Sequence, residues 1–350
     1  MYEATDALKL LHQRAFGCGH LMHEECLSYL QKEIASIHPI ANQAPYSLIG
    51  NGLCRLHLAH PQVHALPPAW IFAMMQATQA GFTPKKESFM QEVQWLQALS
   101  AEGKTPFSQE ELQRFWQAYD QENCPPFRHS EAYRKANAPA YRVVSTDFAI
   151  LLPLLAHLNT NSSVAVVVMD GDCGAGKTTL ANRLASVLSL AHIPLDDFFL
   201  PPTLRNDERL SMPGGNVDYE RFAQEVLVPL SAQQPFTYQA FSCQTHGMTP
   251  KTVATAPLYL LEGSYALHPY FDEFYDALQA TKVFVEVDNS TQKQRLQLRN
   301  PALYPRFEAE WIPLEKKYQK AYDTGKKADI ILHSLPWYTH SITREKVELL

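Results

Sequence analysis

Residues 164–180, VAVVVMDGDCGAGKTTL, constrain this chain more than any other stretch. An apolar run from Val164 to Met169 enters Asp170, then Gly171-x-x-x-x-Gly176-Lys177-Thr178, then Thr179-Leu180-Ala181. That order reads as buried strand, glycine loop and helix start, which is a P-loop. Gly171, Gly174 and Gly176 permit backbone conformations that a Cβ would forbid, so the N–H groups of the loop can point at phosphate oxygens. The helix N-terminus behind the loop adds partial positive charge. Lys177 supplies a mobile full charge for the β- and γ-phosphates, and Thr178 a hydroxyl for Mg²⁺. The alternative, a chance Gly-Lys-Thr in a turn, lacks both flanks.

The chain has 350 residues, enough for two domains and a substantial core. Its 36 acidic and 30 basic side chains give a net charge of −6, which argues against general nucleic-acid binding. The first residues, MYEATDALKLLHQRAFG, lack a basic run followed by an apolar run, and no stretch reaches the ~18–20 apolar residues of a membrane helix. Six scattered cysteines read as reduced thiols, so the expectation is a cytoplasmic protein without a membrane partner.

Before the P-loop the pattern is mostly helical, with helices expected over 5–16, 23–36, 67–80, 85–99 and 108–118, a turn at Gly50-Asn51-Gly52 followed by a strand, and a helical turn over 129–135. Ser108-x-x-Glu111 has the form of a capping box. Two groups of metal-type side chains stand close in sequence: Cys18, His20, His23 and Cys26, then Cys54, His57, His60 and His64. Neither spacing matches a zinc pattern, and packing is the competing reading. The turn Gly17-Cys18-Gly19-His20 is a tight turn or a functional loop. Residues 141–145 look extended, and 146–158 form a connecting helix that contains Pro153.

After the P-loop, apolar strands alternate with helices, which means a doubly wound parallel sheet. Strand 192–195 runs into Asp196-Asp197, strand 257–261 into Glu262, and strand 282–287 into Asp288. Ligands of such sheets sit at the carboxyl ends of the strands. Asp196 and Asp197 are therefore candidates for Mg²⁺ and for the hydroxyl being phosphorylated, with a turn or helix cap as the alternative. Glu262 is a candidate Mg²⁺ partner, again with a cap as the alternative. Arg295 and Arg299, four apart on one helix face, are charge-stabilising candidates or surface ion-pair formers. Residues 236–241 alternate like an edge strand, and 328–332 form a last strand.

The P-loop, Asp196-Asp197-Phe198-Phe199, Asn216-x-Asp218, YLLEGSYALHP and the arginine-bearing helix together resemble the uridine kinase family, within the uridine kinase, phosphoribulokinase and pantothenate kinase group. DDFFLPP, PGGNVDYERF, LEGSYALHP and RFEAEWIPLE are similar to a bacterial uridine kinase-like subgroup. The resemblance covers about residues 140 to 335. It implies an α/β P-loop kinase domain over 161–350, a connecting helix over 141–160, and a mostly α-helical domain of unknown role over 1–140. FGCGHLM, GLCRLHL and HSEAYRKANAPAYRVV resemble an uncharacterised helical domain found ahead of such kinases.

The resemblance further implies ATP and Mg²⁺, with ATP on Gly171, Asp172, Cys173, Gly174, Ala175, Gly176, Lys177, Thr178 and Thr179. It makes Asp196 the base for a sugar hydroxyl, and Thr178, Asp196 and Glu262 the metal partners. Arg295 and Arg299 become lid arginines; Asp197, Asp218, Tyr238 and His246 become substrate-binding. Cys243 stands where uridine kinases place a base-reading histidine, with His246 three residues on. The expected partner is a small-molecule acceptor, with a nucleoside first and another hydroxylated metabolite second; homo-oligomerisation is left open. An ATP-driven regulatory switch is the reading from a different class.

Overall fold

The computed structural model describes residues 2–23 and 25–335; the end of the expected kinase domain, 336–350, lies outside the described residues. The chain divides between Leu152 and Pro153, within the helix Thr146–Thr160.

In the first unit, long helices Ala4–Phe16 and Lys86–Ala101 bury one face each, and Leu8, Leu11, Phe89, Val93 and Leu96 share a core with Leu112. The helix Cys26–Ser36 starts three residues later than the periodicity suggests. Ser108 caps Gln109–Ala118 by accepting from the Glu111 amide, as expected of its sequence. The turn at 50–52 joins two strands rather than preceding one: β1 (Tyr46–Gly50) and β2 (Leu53–His57) form a hairpin. β3 (Tyr141–Ser145) pairs antiparallel with β2, so this mostly helical unit carries a three-stranded sheet.

The second unit is built on five parallel strands in the order β10-β9-β4-β8-β5, where β4 is Val166–Gly171, β5 Ala191–Pro194, β8 Tyr259–Glu262, β9 Thr281–Glu286 and β10 Ile330–His333. Every residue of β4 and β8 is buried, as a parallel sheet covered on both faces requires. The chain leaves β4 towards β5 on one side and later returns to β9 on the other, so the strand order reverses at β4. Register then fixes the chemistry. Met169, Glu262 and Pro194 lie side by side across β4, β8 and β5. β8 and β5 therefore end at one level, and β4 runs two residues further, to Gly171, before its loop begins.

Residues 236–241 do form a strand, β6 (Phe236–Phe241), but it belongs to a separate antiparallel ribbon with β7 (Met248–Val253). Its alternation buries Phe236, Tyr238 and Ala240 against the core of the unit. β7 escapes sequence reading because five of its six residues are exposed.

Candidate active site

Gly171 ends β4 with φ of 149°, and a Cβ there would come within 2.2 Å of the Val285 carbonyl oxygen. Only glycine lets the loop leave the sheet so close to β9. Gly176, in the left-handed region, sets up the helix Lys177–Ala185. The loop is braced from outside. The Asp170 carboxylate accepts from the amides of Gly171, Tyr265 and Leu267 and from the Tyr318 hydroxyl. Asp172 accepts from Lys316 Nζ, Gln319 Nε2 and the Val287 amide. Arg295 donates to the carbonyls of Gly174 and Ala175, 3.2 Å each, and to Ser334 Oγ. Its guanidinium thus holds the loop's backbone.

Lys177 is buried, and its ammonium donates to the carbonyls of Gly171 (2.7 Å) and Asp172 (3.1 Å) and to Ser264 Oγ (3.2 Å). Burial alone would lower its pKa, but Glu315, Asp170, Asp196 and Glu262 outweigh that and raise it. The ammonium therefore stays charged. Thr178 Oγ1 donates to Glu262 Oε1 at 3.2 Å, and Glu262 Oε2 lies 3.2 Å from His192 Nε2.

Asp196 is accessible to solvent but walled by protein. That confinement raises its pKa most; Lys177 and Arg299 pull it down, and Glu262 and Asp197 push it up. Arg299, Lys177 and Glu262 are thus all within electrostatic reach of Asp196. Asp197 is already engaged, accepting from Tyr238 Oη at 2.8 Å and Lys251 Nζ at 2.7 Å. Tyr238 is buried, with its ring stacked on Phe198. Asp218 caps the short helix Tyr219–Phe222 and meets Arg221 at 3.3 Å. His246 stands apart: it is exposed in the β6–β7 turn with its ring against Phe241, and the neighbouring Cys243 is exposed as well.

Glu315, Tyr318, Ser264 and His192 are among the participants that the sequence-based set lacks. Glu315, 3% exposed, accepts from the Cys173 amide at 2.7 Å and from Ser264 Oγ at 3.1 Å. A carboxylate thus sits on one of the loop's N–H groups and is linked through Ser264 to Lys177. Glu315 and Tyr318, three apart on Ile312–Tyr322, are both buried, so a glutamate sharing a face with a core tyrosine was the available signal. Ser264 and His192 carried no pattern of their own.

Among the described residues, no group of three His, Cys, Asp or Glu side chains could hold a metal ion. The two Cys/His clusters therefore form no metal site there. At the glycine loop stand a hydroxyl (Thr178) and a carboxylate (Glu262), beside a second carboxylate (Asp196) that Glu262 repels. That set suits Mg²⁺, which takes one or two carboxylates and completes its shell with water and substrate phosphates. Among the described residues, no helix is long and apolar enough to cross a membrane.

No family model matches the chain, and no curated protein matches it. Solved structures similar to it include a possible uridine kinase from Bacillus stearothermophilus, 20% identical with a TM-score of 0.38, over 48% of this chain and 88% of that one. Shikimate kinase from Bacteroides thetaiotaomicron is 15% identical with a TM-score of 0.27, over 53% of this chain and 92% of that one. D-glycerate 3-kinase from Cryptococcus neoformans is 14% identical with a TM-score of 0.29, over 52% of this chain and 81% of that one. Likeness of that degree assigns no activity to the chain.

Proposed function

We propose that the chain is an ATP-dependent kinase that phosphorylates a hydroxyl of a small molecule, with a nucleoside as the leading acceptor. The observation that carries this reading is the side-by-side ending of three parallel strands: the loop of Lys177 and Thr178 follows β4, Glu262 ends β8 beside it, and Asp196 follows β5 beside β8. A nucleotide switch needs one carboxylate for Mg²⁺; here both Glu262 and Asp196 act on Lys177, which leaves one for an acceptor hydroxyl.

In this reading the loop amides and Lys177 bind the triphosphate and offset charge on the transferring phosphoryl group. Thr178 and Glu262, with Asp196 beside them, would hold Mg²⁺, which when bound adds positive charge at the same phosphates. Asp196 orients the acceptor hydroxyl and takes its proton. Arg299 adds charge near Asp196, and Arg295 keeps the loop in shape. Asp197, Asp218 and Tyr238 form the acceptor's side of the crevice.

The test is ADP release from ATP·Mg²⁺ with uridine, cytidine, other nucleosides, pantothenate and sugar alcohols, using wild type, Lys177→Ala and Asp196→Asn. Stimulation by a nucleoside that both substitutions abolish is the expected result. Acceptor-stimulated turnover that survives Asp196→Asn would remove Asp196 as the base and make Asp197 the next candidate.

A further inference from the structure

The segments FGCGHLM and HSEAYRKANAPAYRVV, which the kinase reading does not use, meet at one cavity of about 370 Å³ within the first unit. The first supplies Gly17, Cys18, His20 and Leu21, the second Tyr141 and Val143. The glycines are explained by packing: a Cβ on Gly17 or Gly19 would lie 3.2 or 3.0 Å from the Gln79 side chain. The turn is thus pressed onto Gln79 and offers His20 and Leu21 to the cavity.

The lining has two cations, Lys9 and Arg128, on opposite sides of the sequence, and apolar surface from Leu21, Phe127 and Val143. Among the described residues, no carboxylate lines it. Lys9 donates to the Phe127 carbonyl and lies 5.9 Å from the centre of that ring. Burial lowers its pKa to about 8, so at neutral pH it holds a charge the protein has partly desolvated. Burial, together with Lys9 and His12, lowers His20 to about 4, leaving a neutral imidazole at the rim.

Behind the cavity the polar groups are fixed in direction. Arg55 donates twice to Gln13 Oε1, Gln13 Nε2 donates to Tyr141 Oη, and Tyr141 lies 2.6 Å from His129 Nε2. Burial lowers His129 to about 4, so the neutral ring accepts from Tyr141 and donates through Nδ1 to Asp6. Asp6, the nearest carboxylate in this chain of bonds, is fully buried and also accepts from Ser130 and the Glu3 amide. It is committed there and does not line the cavity, though its charge favours the charged form of Lys9 against the larger effect of burial.

We propose that this cavity binds a small organic anion with an apolar body, a carboxylate or a phosphate ester, whose acid group meets Lys9 and Arg128. A volume near the lower end of ligand pockets, ~300 Å³, suits a small metabolite.

The test uses the full chain with phenyl phosphate, phenylacetate and the neutral 2-phenylethanol, followed by calorimetry and ligand-observed NMR. Saturable binding of one anion below about 10 mM, with the neutral compound at least roughly tenfold weaker, is expected. Whichever anion binds identifies phosphate or carboxylate as the source. Lys9→Met and Arg128→Gln should each weaken it about tenfold, and Lys177→Met should not, which separates this cavity from the phosphate loop. Arg128 is exposed, so its variant tests the site even if Lys9→Met fails to fold. No saturable binding of either anion, equal binding of the neutral compound, or binding untouched by Arg128→Gln would overturn the proposal.

Discussion

Replacing Glu315 by Gln should tighten ATP binding. The carboxylate accepts from the Cys173 amide at 2.7 Å and, through Ser264, shares the environment of Lys177. A phosphate oxygen that takes either donor arrives beside a negative charge. At an effective dielectric constant of about 20, two unit charges roughly 5 Å apart repel by about 3 kcal/mol. If rearrangement of the Glu315 side chain relieves half of that, about 1.5 kcal/mol remains, or roughly tenfold in Kd. Gln keeps an acceptor for the Cys173 amide, so the loop retains its shape. The assay is titration of wild type and Glu315→Gln with ATP, followed by calorimetry at low salt across pH. Burial is the main cause of the raised Glu315 pKa, and Lys177 opposes it. A carboxyl with a raised folded-state pKa takes up its proton early as pH falls, so wild type should approach the variant at acid pH. Equal or weaker ATP binding by the variant at neutral pH, or a gap that does not narrow on acidification, would refute the reasoning.

Asp196→Asn should lower turnover by about 10²–10⁴-fold. Because the folded state raises the Asp196 pKa, its ionised form costs stability above that pKa, and the neutral variant should melt at a higher temperature in a thermal scan at pH 7. Gly171→Ala should cost roughly 3 kcal/mol or more in denaturant unfolding, because the clash is with backbone at a positive φ. Asp6→Asn should cost about 3 kcal/mol, since its amide would present N–H groups to donors from Ser130, His129 and Glu3. Those hydrogen bonds hold the Asp6 pKa below its ordinary 3.8 against the opposing effect of burial. Its stability contribution is therefore complete above that ordinary value and lost as pH falls through the folded one. Urea midpoints from pH 5 to about 2 should show a flatter acid limb for the variant.

The parallel sheet was legible because its strands are short apolar runs, three of which lead into a carboxylate or glycine: Met169-Asp170-Gly171, Leu195-Asp196, Leu261-Glu262. Periodicity identifies such strands, and the switch-point rule says which end holds the ligand. What periodicity does not give is pairing. β1 and β7 stayed hidden because their burial is shallow; β6 alternates as an edge strand does, and is one, but its polar partner twelve residues on is not visible in the pattern. β3 pairs with β2 across nearly ninety positions, a distance at which only the folded chain shows the register.

The site divides along the same line. Residues on or beside the P-loop and at strand ends follow from local chemistry, so Lys177, Thr178, Asp196 and Glu262 could be named at once. Glu315 could not, because its role arises when a helix more than a hundred residues later closes over the loop. Its only mark in the sequence is a charge on the buried face of Ile312–Tyr322. A buried carboxylate is costly unless donors meet it, and here the donors are a loop amide and Ser264. Those are groups that a phosphate-binding loop would otherwise keep free for its ligand. A charge on the core side of an amphipathic helix is therefore informative in itself: the fold must supply donors for it, and here they are the Cys173 amide of the glycine loop and Ser264.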